Sequence, residues 1–146
     1  MVVLDGYEFP EDLYYTPEDG VGNSWARIES DGSVTVGIDD FFQKQAKTIR
    51  YVDLPFEGDK VEQGKAFATL ESEKWVGQVP APVSGEVIAV NNELLDNPKL
   101  INEDPYGKGW FIKIKPSNLE EELKKLVHGV DQIRELIQKS IQKYQK

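Results

Sequence analysis

The sequence predicts a mainly β protein with a short internal helix and C-terminal helices, and three observations carry that prediction. Short apolar or alternating runs, each broken by Gly, Pro, Asn or Asp, recur between Trp25 and Ile114 at intervals typical of a sandwich or barrel. Asp31-Gly32 stands between two of these runs, a strong short-range hairpin signal. After Ser117 the apolar period changes from two to between three and four, as an amphipathic helix requires.

Residues 1–24 are rich in Gly, Pro, Asp, Glu and Tyr, with brief apolar content at Val2 to Leu4 and at Leu13-Tyr14-Tyr15, so a strand or two wrapped on the surface is expected. Trp25-Ala26-Arg27-Ile28 and Val34-Thr35-Val36-Gly37-Ile38 are the arms of the Asp31-Gly32 hairpin. Asp39-Asp40 can cap a helix start, and Phe41-Phe42-Gln43-Lys44-Gln45-Ala46 fits one to two turns with its phenylalanines inward, ending near Thr48. Strands are expected over residues 49–53, 65–71, 75–80, 85–90 and 109–114. Ser117-x-x-Glu120 or Asn118-x-x-Glu121 offers a capping box leading into Leu119, Leu123, Leu126 and Val127, with His128-Gly129 closing that helix. A second helix follows, with Ile133, Leu136, Ile137 and Ile141 on one face and a basic end over residues 139–146 that suits the helix dipole. Its apolar stripe must be buried on the chain's own body or against another copy.

At 146 residues the chain fits one domain with an appendage, large enough to bury roughly two thirds of its unfolded surface. A formal charge of −9 and a pI near 4.7 argue against nucleic acid or an anionic membrane as partner, and favour partners with basic surfaces. The absence of cysteine removes disulfides, thiolate metal sites and cysteine nucleophiles together. The start lacks a basic leader region and no apolar run approaches the ~20 residues of a membrane span, so a soluble, cytoplasmic protein is expected.

The chemistry open to such a chain is narrow. His128 is the only histidine, and its place after a helical run reads as a cap instead of a catalytic base. Asp39-Asp40 and Glu120-Glu121-Glu122 could bind a hard cation, but carboxylates at helix starts stabilise the fold in any case, and no metal site is expected. Gly20-Val21-Gly22 and Gly107-Lys108-Gly109 match neither nucleotide-binding glycine pattern. No catalytic residue is assigned.

Lys74 is the exception. It lies in Leu70-Glu71-Ser72-Glu73-Lys74-Trp75, between two segments that read alike, Gly58-Asp59-Lys60-Val61-Glu62-Gln63-Gly64 and Pro82-Val83-Ser84-Gly85-Glu86-Val87. Gly64 precedes it by ten residues and Gly85 follows by eleven, so each glycine turn feeds one strand and the strands meet at the lysine. A lysine at an exposed hairpin tip is available for covalent modification. A swinging-arm carrier needs that arrangement, because tethering raises the local concentration of its cargo at each partner. A biotin arm is disfavoured, since biotin carriers usually flank the lysine with methionines and the only methionine is Met1.

The chain resembles the lipoyl-carrying H proteins of the glycine cleavage system. The matching segments are Val34-Thr35-Val36-Gly37-Ile38, Tyr51-Val52-Asp53-Leu54-Pro55, Gly58-Asp59, Leu70-Glu71-Ser72-Glu73-Lys74, Ala81-Pro82-Val83-Ser84-Gly85-Glu86-Val87, Val90-Asn91 and Asn102-Glu103-Asp104-Pro105-Tyr106-Gly107-Lys108-Gly109-Trp110. The resemblance covers about residues 7–127. It implies a barrel-sandwich hybrid of the biotinyl/lipoyl-carrier type, with residues 1–116 as a lipoyl-carrier β domain with an N-terminal wrap and residues 117–146 as a helical appendage packed on it. It also implies lipoate amide-linked to Lys74 and a non-catalytic, monomeric carrier subunit. In that family the arm takes an aminomethyl group from the glycine-decarboxylating P protein, yields it to the aminomethyltransferase T protein, and is reoxidised by the flavin-dependent L protein, a dihydrolipoyl dehydrogenase. A lipoate-attachment enzyme is a further implied partner.

Three departures concern the arm or its resting cleft. Asn23-Ser24-Trp25 stands where the family usually has His-Glu-Trp, Ala46-Lys47-Thr48 where it has Leu-Gly-Asp, and Glu71-Ser72-Glu73-Lys74-Trp75 where it has Glu-Ser-Val-Lys-Ala. A second expectation is therefore a carrier similar to the H-like lipoate-binding proteins of a heterodisulfide-reductase-like sulfur-oxidising system, its dithiol carrying sulfur. A third, of another class, is an unmodified protein-interaction module. Trp75 is expected either to pack over the lipoyl ring or a partner, or to fold back on its own hairpin.

Overall fold

The computed structural model describes residues 1–17 and 23–144, so Gly20-Val21-Gly22 lies outside the described residues. The chain runs β1 (Val2–Leu4), β2 (Tyr7–Phe9), β3 (Tyr14–Tyr15), β4 (Ser24–Ile28), β5 (Val34–Ile38), α1 (Asp40–Ala46), β6 (Ile49–Asp53), β7 (Lys60–Val61), β8 (Ala66–Ser72), β9 (Val76–Pro80), β10 (Gly85–Val90), α2 (Glu93–Asp96), α3 (Leu100–Glu103), β11 (Ile112–Pro116), α4 (Leu119–Leu123) and α5 (Val130–Tyr144). A six-stranded sheet has the order β3-β4-β5-β11-β10-β7, a three-stranded sheet the order β6-β8-β9, and β1 pairs with β2 alone.

The two larger sheets enclose one core. Val36, Ile38, Ile112, Ile114 and Val87 meet Val52, Ala68, Leu70 and Val79, with Phe42, Leu94 and Ile101 closing the ends from α1, α2 and α3. A second core lies on the other side of β4, where Trp25 joins Val2, Phe9, Leu13 and Tyr15 against Ile133, Leu136, Ile137 and Ile141 of α5. Alternation along β4 sends Ala26 to the first core and Trp25 to the second. Covered on both faces, β5 is buried at every position, which is why it reads as a continuous apolar run. The α5 stripe is thus buried on its own chain. Likewise α1 sits at the seam, with Phe41 in the second core and Phe42 in the first.

The like segments that flank the Lys74 hairpin lie side by side. Gly85 and Glu86 pair with Val61 and Lys60, and Gln63 bridges Ala81, so the hairpin's base is closed by its own flanks. Gln63 Nε2 donates to the carbonyls of Pro82 and Glu122, at 2.9 Å each. The Glu122 carboxylate accepts from Ser84 N at 2.7 Å and Ser84 Oγ at 2.6 Å. Glu122 is therefore a buried brace rather than a solvated member of the acidic run. Glu122→Ala should cost about 2 kcal/mol, the usual loss when a buried charged acceptor is removed from two donors, read as a lower urea midpoint.

Three sequence expectations need correction. The capping box does not form: Asn118 makes no side-chain cap bond, and α4 ends at Leu123 instead of running through Val127. The chain leaves the helix because Val127 and Tyr15 exchange backbone hydrogen bonds of 2.8 Å, extending the edge of β3. His128-Gly129 therefore precedes α5 and does not close α4. Gly129 takes φ +90°, His128 N donates to Gln132 Oε1 at 3.1 Å, and the His128 ring stacks on Tyr14 at 4.0 Å. The strand expected over 109–114 begins only at Ile112. Gly109 instead packs against α3, where a Cβ would fall 2.7 Å from the Leu100 carbonyl.

Candidate carrier site

β8 and β9 pair in antiparallel register down to Glu71 and Val76, leaving Ser72-Glu73-Lys74-Trp75 to make the turn. Ser72 N donates to the Trp75 carbonyl at 3.0 Å. The Ser72 hydroxyl accepts from Lys74 N at 3.2 Å and Trp75 N at 3.3 Å, and lies 3.3 Å from the Trp75 carbonyl. One small side chain thus satisfies the amides a tight turn leaves open. Lys74 itself is exposed, and among the described residues no hydrogen bond or ion pair holds its Nζ. A free primary amine on an ordered turn has the chemistry that amide formation with a carboxylic acid cofactor requires, so the residues fit a lipoyl group.

The neighbours of the tip order it further. Glu73 reaches across to Arg50 of β6, Oε1 to Nη2 3.3 Å, with both side chains more than half exposed. Such a pair contributes only a few tenths of a kcal/mol and orients more than it stabilises. Trp75 is half-buried, its ring 6.1 Å from that of Phe42 at 40°. The ring lies over Gly77, where a Cβ would come within 2.2 Å of it. Of the two expectations for Trp75, the structure has the ring folded back on its own hairpin. Gly77→Ala should displace it and cost about 1–2 kcal/mol through overpacking. A lower melting temperature with red-shifted tryptophan emission checks this.

α1 connects the tip to the interior. Asp39 caps it, one carboxylate oxygen accepting from Phe42 N at 2.8 Å. The other oxygen is buried and has no partner among the described residues. Burial pushes this carboxyl up to about 7; Asp40 adds to the rise, and the hydrogen bond from Phe42 N opposes it. At the other end, Lys47 takes φ 64° and ψ −149°, a region populated almost only by glycine and costing other residues about 1–3 kcal/mol. It is held there by Lys47 N donating to the Gln43 carbonyl at 3.1 Å and by Asn102 Nδ2 donating to the Lys47 carbonyl at 2.7 Å. Asn102 Oδ1 also accepts from Ile49 N at 3.0 Å.

The remaining residues singled out in the sequence lie elsewhere. Asn23 is fully buried, its carbonyl accepting from Asp39 N at 2.9 Å and its side-chain nitrogen facing the carbonyls of Thr16 and Pro17 at 3.0 and 3.1 Å. It braces the backbone where the family's histidine is expected. Its neighbour Ser24 donates to the Pro80 carbonyl at 2.7 Å, tying β4 to the Lys74 hairpin. His128 is spent on Tyr14 and on the Leu13 carbonyl, 3.0 Å from Nδ1. Sequence reasoning passed over Arg50 and Phe42 as partners of the tip, because their contacts arise only when β6 and α1 are brought beside it. The opposite charges of Arg50 and Glu73 were the one available signal.

A two-sheet β body that presents a lysine on a pinned hairpin belongs to the barrel-sandwich class of carrier domains. The model of the glycine cleavage H-protein family matches residues 13–140. A probable glycine cleavage system H protein of Pyrococcus abyssi is 52% identical over 127 residues, which cover 87% of this chain and 91% of that protein. Glycine cleavage system H protein 2 of Aquifex aeolicus is 47% identical over 131 residues, covering 90% and 80%. The crystal structure of a glycine cleavage system H protein from Mycobacterium marinum superposes with a TM-score of 0.68 at 33% identity, covering 75% of this chain and 87% of that one. The chain belongs to the glycine cleavage H-protein family, the lipoyl carriers of the glycine cleavage system. Among the described residues no helix is long and apolar enough to cross a membrane.

Proposed function

We propose that this protein is the cytoplasmic lipoyl carrier of a glycine cleavage system, with lipoate amide-linked to Lys74 Nζ. The observation that supports the attachment point most directly is the exposed, unengaged lysine on a turn pinned by Ser72. When bound, the lipoyl group supplies a dithiol able to carry an aminomethyl group. The chain's own residues catalyse none of the transfers. Ser72 holds the turn, Trp75 and Phe42 fix it to α1, and Gln63, Ser84 and Glu122 hold the hairpin's base. The P, T and L proteins act in turn on the arm, and a lipoate-attachment enzyme loads it. The helical end, residues 117–146, serves as an appendage, with α5 covering the second core and Leu126 reaching the first.

The test is the intact mass, followed by peptide masses around residue 74, of protein from its native host or a lipoate-replete one. A lipoyl increment on Lys74 alone supports the proposal, and an unmodified lysine from the native host favours the interaction module. The departures at Asn23, Lys47, Glu73 and Trp75 favour, as a second reading, a lipoylated carrier of sulfur intermediates. Offering the lipoylated protein to P protein with glycine separates the two: uptake of the aminomethyl group supports glycine cleavage, and a loaded arm that takes none supports the sulfur carrier.

A further inference from the structure

A basic groove opens beside the carrier tip of a protein whose net charge is −9. It has a volume near 670 Å³ and is lined by Lys44, Lys47, Lys99, Asn102 and Tyr7 among others, with Glu103 as its one acidic wall residue. Lys44 is already committed, 3.1 Å from Asp40 Oδ2 and 2.7 Å from the Gly6 carbonyl. Lys47 and Lys99 are exposed, and among the described residues neither side chain has a hydrogen bond or ion pair. Ile49 pairs with Ser72, so Lys47, two residues before Ile49, and Lys74, two residues after Ser72, leave the same end of the β6–β8 pair. An enzyme that admits the Lys74 side chain therefore approaches the end of the sheet from which Lys47 leaves.

Lys47 is also the residue whose presence the fold opposes. Its backbone is in a conformation suited to glycine, and among the described residues its side chain makes no polar contact that would offset the strain. Gln43 and Asn102 hold the backbone in that conformation, which glycine would adopt without strain, so the lysine side chain itself is the feature left to explain. The geometry points to a docking site, centred on Lys47 and Lys99, for an acidic rim on an enzyme that receives the Lys74 arm. The rest of the chain's charge repels an acidic surface, so a local cationic groove next to the tip orients the encounter as well as attracting it. This inference rests on the proposed role of Lys74 as the arm's attachment point.

The experiment uses the full chain as wild type, Lys47→Gly, Lys47→Arg and Lys99→Glu. Lipoylation of each is first established by intact mass, so a failure of the arm itself is seen separately. Each is then the variable substrate of dihydrolipoyl dehydrogenase, the P protein and the T protein of the same host, at about 50 and about 300 mM salt, where screening lengths differ more than twofold. Lys47→Gly is expected to melt roughly 4 °C higher, as relief of strain requires. Its KM should nonetheless rise about fivefold at low salt toward at least one enzyme, in KM more than kcat, and the difference should collapse at high salt. Lys99→Glu should raise the same KM, and Lys47→Arg, which keeps the charge, should restore it. A Lys47→Gly protein that is more stable yet has unchanged KM with all three enzymes overturns the inference, as does a KM rise that persists at high salt. Retention of inorganic phosphate by wild type but not by Lys47→Gly, with KM unchanged, would make the groove a small-anion site and overturn it too.

Discussion

Lys74→Arg, purified from a lipoate-replete host, is expected to fold like wild type and carry no lipoyl group. Arginine keeps the charge and the exposure, but its guanidinium stays protonated at any working pH and is not a nucleophile toward an activated acyl group. The turn does not depend on the lysine side chain. Its hydrogen bonds run between Ser72 and the backbone of Lys74 and Trp75, all of which arginine preserves. Stability should therefore change by less than about 0.5 kcal/mol, as for ordinary surface substitutions. Intact mass and thermal melting, measured together, separate loss of attachment from loss of fold. A lipoyl increment surviving in the arginine variant would place the arm on another lysine and remove the basis for reading Lys74 as the carrier residue.

Much of this arrangement was legible in the residues because it is local. Gly64 and Gly85 set the hairpin's length, Asp31-Gly32 set the turn between β4 and β5, and Asp39 caps α1 as its type and position suggested. What could not be read was decided by tertiary partners. Nothing in the run from Leu119 to Val127 announces that Val127 will pair with Tyr15, more than a hundred residues earlier, and that pairing truncates α4. Glu122 looked like its neighbours Glu120 and Glu121, yet alone of the three it is buried, because Ser84 supplies two donors to it. The short α2 and α3 were missed for a related reason. Four residues each are too few for helical periodicity to emerge, and they are held by the burial of Leu94 and Ile101.

The same contrast applies at the tip. Glu73 and Trp75 stood out in the sequence as a charge and a ring beside the lysine, but their directions depend on Arg50 and Phe42. With Trp75 folded onto Gly77 and Phe42, the tip is mechanically continuous with α1. Any change in how α1 is seated is felt next to Lys74.

Asp39→Asn supplies that change and should alter the protein's pH dependence more than any other single substitution at α1. An Asp carboxyl titrates near 3.9 in an unfolded chain, whereas burial holds this one at about 7 in the fold. The folded state therefore binds the extra proton over that interval, and stability falls as pH rises from about 4 through about 7. The stabilising contribution is complete below the lower value and lost above the higher one. Across that interval the difference in proton affinity between folded and unfolded chain is worth at most about 4 kcal/mol, of which relaxation of the site leaves roughly 3. The groups around it do not remove the effect. Asp40 raises it further, and burial raises the hydroxyls of Tyr15 and Tyr106, so both stay neutral. Asparagine keeps the oxygen that accepts from Phe42 N and puts an uncharged group where the unpartnered oxygen lies. Urea denaturation should give nearly equal stabilities for the two proteins at about pH 3, below both values, and a variant more stable by about 3 kcal/mol at about pH 8. Because α1 carries Phe42 against Trp75, tryptophan emission of wild type should also shift with a midpoint near 7, and that of the variant should not. Superimposable denaturation curves at the higher pH, or a variant that is the weaker of the two there, would mean that Asp39 is ionised in the fold at no net cost and that the tip is insulated from it.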